Sequence, residues 1–319
     1  PHFGRLRLDA SGHCGMLDDA GLCGIHTRLG PDALSDVCTT YPRYFNEVDG
    51  ELELFGTVSC PELARLLLFG DEPLALERAE HQDTPRKLRN QFRTEQPYYQ
   101  PFLLVRGAFN RLLEQPGQTL SEKLFALLWI SEKLSGVVHA RASTIPSAEL
   151  GNALGAMLAP EAQSGLVGSY RTLKLDGSLA VAVITSALSE KATAGDAAVA
   201  FRDYTELCAR VAPEVRQRVD ACLTRYAQNH LYTTPYMLYG SLFAYARDLT
   251  WRVATLRYLL HKALTGFDGN RNAVDRQIVE VVYKFARRVE HSELFAQLGQ
   301  LLRDQHLDSF AHTLSFLSV

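Results

Sequence analysis

No stretch of this 319-residue chain stays apolar long enough to cross a membrane. A spanning helix needs about 18 to 20 such residues, and the most apolar region, Leu238 to Leu260, is broken by Arg247, Asp248, Arg252 and Arg257. Nor does a basic start lead into an apolar signal core with a small-residue cleavage site. The sequence therefore predicts a cytoplasmic protein with no membrane insertion. Charge of one sign is also missing: the net value is only −3, which offers no basic field for nucleic acid, and no nucleic-acid partner is expected. Repeats of solenoid length, low-complexity tracts and sustained heptads are absent too.

Several motifs are lacking as well, and each absence narrows the chemistry. There is no His-Glu-x-x-His pair for a zinc protease, and no Gly-x-Gly-x-x-Gly loop of the kind that opens a doubly wound nucleotide-binding domain. The Cys-x-x-Cys knuckle that marks a zinc finger is missing. What remains is ordinary in bulk: 46% apolar and 22% charged residues in 35.5 kDa, enough for one large core or two ordinary domains. The chain opens on Pro1, within an extended-looking run, Phe3 to Asp9. Upstream residues are expected to be missing from this sequence.

Cysteine is the unevenly placed residue. Cys14, Cys23, Cys38 and Cys60 lie in the first sixty positions, and only Cys208 and Cys222 follow. Each of the four stands at a turn or helix start, and Cys14, Cys23 and Cys60 are directly followed by Gly or Pro. A reducing compartment favours metal binding over disulfides for such thiols. The intervals of eight, fourteen and twenty-one residues favour a four-thiolate site for zinc or an iron–sulfur cluster over four unrelated buried thiols. His13 and His26 sit close enough to join such a site or to flank it. Cys208 and Cys222, among apolar neighbours, read as small core residues.

The pattern predicts a mainly α protein, a helical body with a small N-terminal cysteine-rich module containing a β-hairpin. Residues 1–69 form the module, 70–96 a linker or mobile segment, and 97–319 the helical domain. Within the module, Asp49-Gly50 between Tyr44–Val48 and Glu51–Val58 signals a hairpin. Pro61 and Glu62 start a helix that Gly70 stops. Beyond it, apolar residues at spacings of three and four predict helices over 102–115, 120–139 and 198–227. A long helix is expected from Thr234-Pro235 to Gly266, and others over 274–289, 292–303 and 307–317, with Asn272 and Ser292 as caps. Between Ser169 and Ser189, Ala180–Thr185 reads as a strand or a buried helix. Gly151, Gly155, Gly165 and Gly168 read as helix ends.

Three segments resemble a known family almost position for position: Gly21-Leu-Cys23-Gly-Ile-His26-Thr-Arg-Leu-Gly30, Leu34-Ser-Asp-Val-Cys38-Thr-Thr-Tyr41-Pro42-Arg43, and Ser59-Cys60-Pro61-Glu62-Leu-Ala64-Arg65-Leu66. They are similar to the core signature of the flagellin lysine-N-methylases. Tyr226–Tyr232, Arg252–Tyr258 and the tail through Glu290-His291 resemble that family's C-terminal region more loosely. The resemblance implies a cytosolic, S-adenosylmethionine-dependent methyltransferase of the bacterial flagellum, acting on lysine amines of flagellin and carrying an iron–sulfur cluster, of the 4Fe-4S type; since methyl transfer to a neutral amine does not require a cluster, its expected role is structural or in docking. Cys14, Cys23, Cys38 and Cys60 would be its ligands, with zinc as the alternative. One departure is that the family has a further cysteine motif, ending in a Cys-Cys pair, upstream of Cys14; its absence leaves the ligand set open. Alternatives are a methyltransferase for another amine, or a non-catalytic helical module that zinc or a cluster stabilises and that binds a partner protein.

Transfer of a methyl group to a neutral lysine amine requires deprotonation of a group whose free pKa is about 10.4, in-line alignment and exclusion of water. No radical is needed, and the Cys-x-x-x-Cys-x-x-Cys spacing of radical enzymes is absent. Tyrosines can shape an amine pocket through cation–π contact and hydrogen bonding. Tyr232, Tyr236 and Tyr239 share one face if their segment is helical, and with Asp248 they are the catalytic candidates; core packing is the plainer reading for each. Tyr41, Arg43, Asn229 and Arg252 are the cofactor-binding candidates, with His230 as a further polar residue. Asp248 and Arg252, four apart, predict an intrahelical ion pair.

Overall fold

The Asp49-Gly50 pair makes the turn expected of it. In the computed structural model, which describes residues 8–10, 13–72, 74–78, 80, 88–93, 95–139, 143–188, 197–267, 270–290 and 294–319, Asp49 and Gly50 have φ of 53° and 89°. Two positive φ angles in succession are what a two-residue hairpin of right-handed twist requires. Strands β1 (Arg43–Val48) and β2 (Glu51–Gly56) pair in register from Arg43↔Gly56 to Val48↔Glu51. Within the segment expected as a linker, Leu88–Phe92 forms β3 and joins the other side of β1, giving the order β2-β1-β3. The buried Asn46 carbonyl oxygen accepts from the Asn90 side-chain amide at 3.0 Å. That satisfies a polar group that burial would otherwise penalise.

The chain divides into two compact units. The first comprises residues 1–57 with 78–91, and the second 58–77 with 92–319. The first holds this sheet and two short helices, α1 (Gly24–Leu29) and α2 (Asp36–Thr40). The second is helical: α3 (Pro61–Phe69), α4 (Tyr99–Glu114), α5 (Leu120–Leu134), α6 (Ser147–Leu158), α7 (Pro160–Thr172), α8 (Ser178–Leu188), α9 (Ala197–Ala209), α10 (Pro213–Thr233), α11 (Leu242–Leu264), α12 (Arg271–Phe285), α13 (Leu294–Asp304) and α14 (Phe310–Leu314). No helix among the described residues is long and apolar enough to cross a membrane.

Helix α11 is the axis of the second unit. It packs against α5, α9, α10, α12 and α14, and nearly all of its side chains are buried. Burying one Leu or Val side chain stabilises a fold by about 1.5–3 kcal/mol, so a helix with most of its side chains buried contributes heavily to this core. Helix α5 beside it begins with a capping box: Thr119 Oγ1 accepts from the Glu122 amide at 3.3 Å and Glu122 Oε2 accepts from the Thr119 amide at 2.8 Å. The other Glu122 oxygen accepts from Arg171 Nε on α7 at 2.7 Å.

Several boundaries differ from expectation for identifiable reasons. The helix expected over 198–227 is two helices, because Pro213 lacks an N–H and holds Ala212 extended, at φ −58° and ψ 142°. The long helix does not start at Thr234-Pro235. A 3-10 turn, Tyr236–Leu238, follows Pro235, and the helix begins at Leu242 under a cap in which Ser241 Oγ accepts from the Ala244 amide at 3.0 Å. Helix α12 is capped by Asn270, whose side chain accepts from the Ala273 amide at 3.1 Å, rather than by Asn272. The ambiguous Ala180–Thr185 stretch is helical, inside α8. Gly151 and Gly155 lie inside α6, and Gly165 and Gly168 inside α7, rather than at helix ends. The Ser292 cap, His291 and most of the Phe3–Asp9 run lie outside the described residues.

Candidate functional site

Ser241 fixes where α11 starts, and the helical repeat then sets Asp248 and Arg252 one turn apart. Arg252 Nε donates to Asp248 Oδ2 at 2.6 Å, and the two side chains are only 13% and 10% exposed. The expected ion pair is thus a buried one. Tyr239 reaches the same oxygen from the loop before the helix, donating its hydroxyl at 2.8 Å. Hydrogen bonds to a charged acceptor are worth about 1.5–3 kcal/mol each, so this trio holds its geometry firmly.

Its electrostatics follow from burial. Burial, and after it the Asp248 carboxylate, raises the Tyr239 hydroxyl far above an ordinary phenol. Burial alone would lower the Arg252 guanidinium, but Asp248, with Tyr226 and Tyr239, raises it on balance. Near neutral pH the site is therefore a neutral phenol and a guanidinium sharing one carboxylate oxygen. The Tyr245 ring packs edge-on against Tyr239 with centroids 5.2 Å apart, and Phe295 covers the Arg252 guanidinium at 4.5 Å.

Tyr239 and Asp248 line a cavity of about 840 Å³, which Trp251, Phe243, Phe310 and Arg247 help to enclose. This volume is within the range of small-molecule sites, about 300–1,000 Å³. Arg247 spans its wall, bonded to Asp308 Oδ2 at 2.7 Å and stacked on Trp251 at 4.8 Å. Trp251 Nε1 and Arg247 Nε are buried donors with no partner among the described residues. Unpaired buried donors are costly, and both residues stand in the wall of this aromatic-lined cavity.

Of the residues singled out in the sequence, the structure brings together Tyr239, Asp248 and Arg252. Tyr232 and Tyr236 are not on one helical face with Tyr239, because α10 ends at Thr233 and the chain turns at Pro235. Tyr232 donates instead to the Leu74 carbonyl at 3.2 Å. Tyr236 is buried with its hydroxyl unpartnered among the described residues. Asn229 is half-buried on α10, and Tyr41 and Arg43 stand in the first unit, before and at the start of β1. Trp251, Arg247 and Asp308 carried no sequence signal, since Asp308 lies 61 residues from Arg247.

The four N-terminal cysteines occupy local positions close to those expected. Cys23 and Cys60 are the residues that precede α1 and α3, the latter followed by Pro61 at the first helical position. Cys38 is exposed within α2, and Cys14 faces Leu8 in an isolated bridge. Cys14, Cys23 and Cys38 belong to the first unit and Cys60 to the second. Among the described residues no three His, Cys, Asp or Glu side chains gather so as to hold a metal ion.

Comparison with known proteins reaches only part of the chain. It is similar to the flagellar biosynthetic protein FliU of Salmonella muenchen, 33% identical over 102 residues, which cover 30% of this chain and 58% of that protein. It is also similar to the lysine-N-methylases of Salmonella typhimurium and Salmonella choleraesuis. Each is 38% identical over 80 residues, covering 24% of this chain but only 19% of the relative. No family model matches, and no solved structure matches.

Proposed function

We propose that the chain is an S-adenosylmethionine-dependent protein-lysine N-methyltransferase, cytoplasmic, with flagellin as its substrate, and that the cavity beside Tyr239 and Asp248 takes the lysine side chain. The names of the partial relatives, lysine-N-methylase and flagellar biosynthetic protein, support the activity and the flagellar setting. The observation that carries the site is the neutral Tyr239 phenol, bonded to a buried carboxylate at an aromatic-walled cavity.

Each residue of the site has its own task. Asp248 accepts from Tyr239, leaving the phenol oxygen's lone pairs to accept an N–H of the substrate amine. Arg252 holds Asp248 in place and keeps the pair close to neutral. Trp251 and the neighbouring aromatic rings exclude water, and removing a lysine ammonium from water lowers its pKa, which favours the neutral nucleophile. S-adenosylmethionine would supply an electrophilic methyl group, and the mixed polar and aromatic lining of the cavity, with Arg247, Asp308 and Trp251, fits a ligand of this kind. In the overall reaction the amine nitrogen bonds to the methyl carbon, the sulfur–carbon bond breaks, and the ammonium proton leaves through the Tyr239–Asp248 pair to solvent.

Incubation with flagellin and isotopically labelled cofactor, followed by peptide mass spectrometry, tests this reading. Labelled methyl groups on flagellin lysines are expected. Tyr239→Phe should lower kcat by about 10²-fold or more, the usual contribution of a positioned proton-transfer group. Absence of label on every lysine would refute the activity; label with unchanged kcat in Tyr239→Phe would move the site elsewhere. An iron–sulfur cluster on Cys14, Cys23, Cys38 and Cys60 is a separate proposal that rests on the sequence pattern. Iron and sulfide analysis of anaerobically purified protein tests it, and full metal content in both Cys38→Ser and Cys60→Ser would remove those two from the ligand set.

A further inference from the structure

The cavity that Tyr239 and Asp248 line has room for more than a lysine side chain, at about 840 Å³, and the charges around it are of two kinds. Two carboxylates are matched: Asp248 holds Arg252 at 2.6 Å, and Asp308 holds Arg247 at 2.7 Å. The remaining charged residues of the lining, Glu132 and Arg303, are exposed to solvent. Glu132 stands in the last turn of α5, and its side chain makes no hydrogen bond or ion pair among the described residues. Its neighbour Lys133 lies over the Trp129 ring instead. Arg303 stands in the last turn of α13, where its Nη2 donates to the neutral Gln300 side-chain carbonyl at 2.8 Å and no carboxylate pairs with it among the described residues.

The lining therefore has one charge of each sign left over, on two different helices. Such a rim has no net charge with which to draw in a simple anion or cation. It complements a ligand that carries both signs together, and the end of an α-amino acid does so, with an ammonium and a carboxylate on one carbon. A guanidinium presents its donors in the fork geometry that a carboxylate accepts, while a carboxylate accepts the N–H groups of an ammonium. Further in, Tyr239, Phe243 and Phe310 supply aromatic faces, on which a flat heterocycle packs favourably.

We propose that Glu132 and Arg303 form a clamp for the α-amino and α-carboxylate groups of S-adenosylmethionine, seating its amino-acid end at the rim of this cavity. The inference rests on the reading of the cavity as the methyl-transfer site and names the residues that orient the cofactor there. Both residues act in binding, and neither takes part in the transfer itself.

Calorimetric titration of the intact chain with S-adenosylhomocysteine, the demethylated cofactor, and with 5′-methylthioadenosine tests the clamp. The second ligand keeps the nucleoside and the sulfur and lacks the amino-acid end. S-adenosylhomocysteine should bind more tightly by about tenfold or more, the scale of one hydrogen bond to a charged group. Glu132→Gln and Arg303→Gln should each weaken it about tenfold and leave 5′-methylthioadenosine within about twofold. Both side chains are exposed, so neither substitution should disturb folding. Unchanged S-adenosylhomocysteine binding in either variant, or an equal loss for both ligands, would overturn the clamp and leave the cofactor reading in place. No binding of either ligand to the unaltered protein would overturn the clamp and the assignment of this cavity to the cofactor together.

Discussion

Replacing Asp248 with alanine should destabilise the second unit more than almost any other single polar substitution. Asp248 is 7% exposed and receives both the Tyr239 hydroxyl and the Arg252 guanidinium. Its loss leaves a guanidinium, sandwiched between α11 and Phe295, without a counter-charge, and a buried hydroxyl without an acceptor. Breaking one side of a buried ion pair costs about 3–5 kcal/mol, and two charge-assisted hydrogen bonds at about 1.5–3 kcal/mol each give an overlapping range of about 3–6 kcal/mol. The expected loss is therefore about 4 kcal/mol. Arg252→Met keeps much of the volume and removes the stranded charge, so the double variant Asp248→Ala/Arg252→Met should be less damaged than the sum of the singles by about 2 kcal/mol. Urea unfolding of the four proteins, monitored by circular dichroism, measures this coupling. A loss below about 1 kcal/mol for Asp248→Ala, with additivity to within about 0.5 kcal/mol in the cycle, would refute the reasoning.

Acid should act through His261. Burial, then Arg257 and Arg216, holds its folded pKa at about 4, below the ordinary 6.5, so between those values the unfolded chain binds the extra proton, and stability is lost as pH falls through that window. The total loss should approach about 3 kcal/mol, because each pH unit of that window is worth about 1.36 kcal/mol. The groups facing the ring are Tyr204, Cys208, Arg216 and Arg257, and His261→Gln, measured by urea unfolding across that range, should lack the loss. Thr119→Ala removes the α5 capping box and should cost about 1 kcal/mol by thermal unfolding; a loss above about 3 kcal/mol would mean that the Glu122–Arg171 link fails with it. Gly50→Val places a β-branched side chain where φ is 89° and should cost about 1–2 kcal/mol or more, measured as faster amide exchange in β1 and β2.

Local chemistry made part of this fold legible. Asp49-Gly50 announces its hairpin because few other residues tolerate two positive φ angles, and Pro61 announces α3 because it presets the first helical φ. The start of α11 lies eight residues beyond Thr234, the cap its sequence suggests. Thr234-Pro235 has the composition of a helix start, yet Ser241 outcompetes it once the chain has turned through Tyr236–Leu238. In the candidate site, Asp248 and Arg252 were visible as a pair four apart, and Tyr239 was chosen for a helical face that does not exist. Asp308 meets Arg247 across 61 residues, and His261 meets Cys208 across 53. Periodicity within one helix carries no trace of such meetings, which tertiary packing alone creates.

The packing of five helices around α11 has a kinetic consequence. Amide hydrogens are released to solvent only when the surrounding structure opens, and no partial detachment frees α11 while α5, α9, α10, α12 and α14 remain packed around it. Its amides should exchange at the rate of global unfolding. The cavity beside Tyr239 and Asp248 lies against the first turns of this slowest-exchanging segment, so a ligand that protects it should slow exchange along the whole helix, including the turns remote from the cavity.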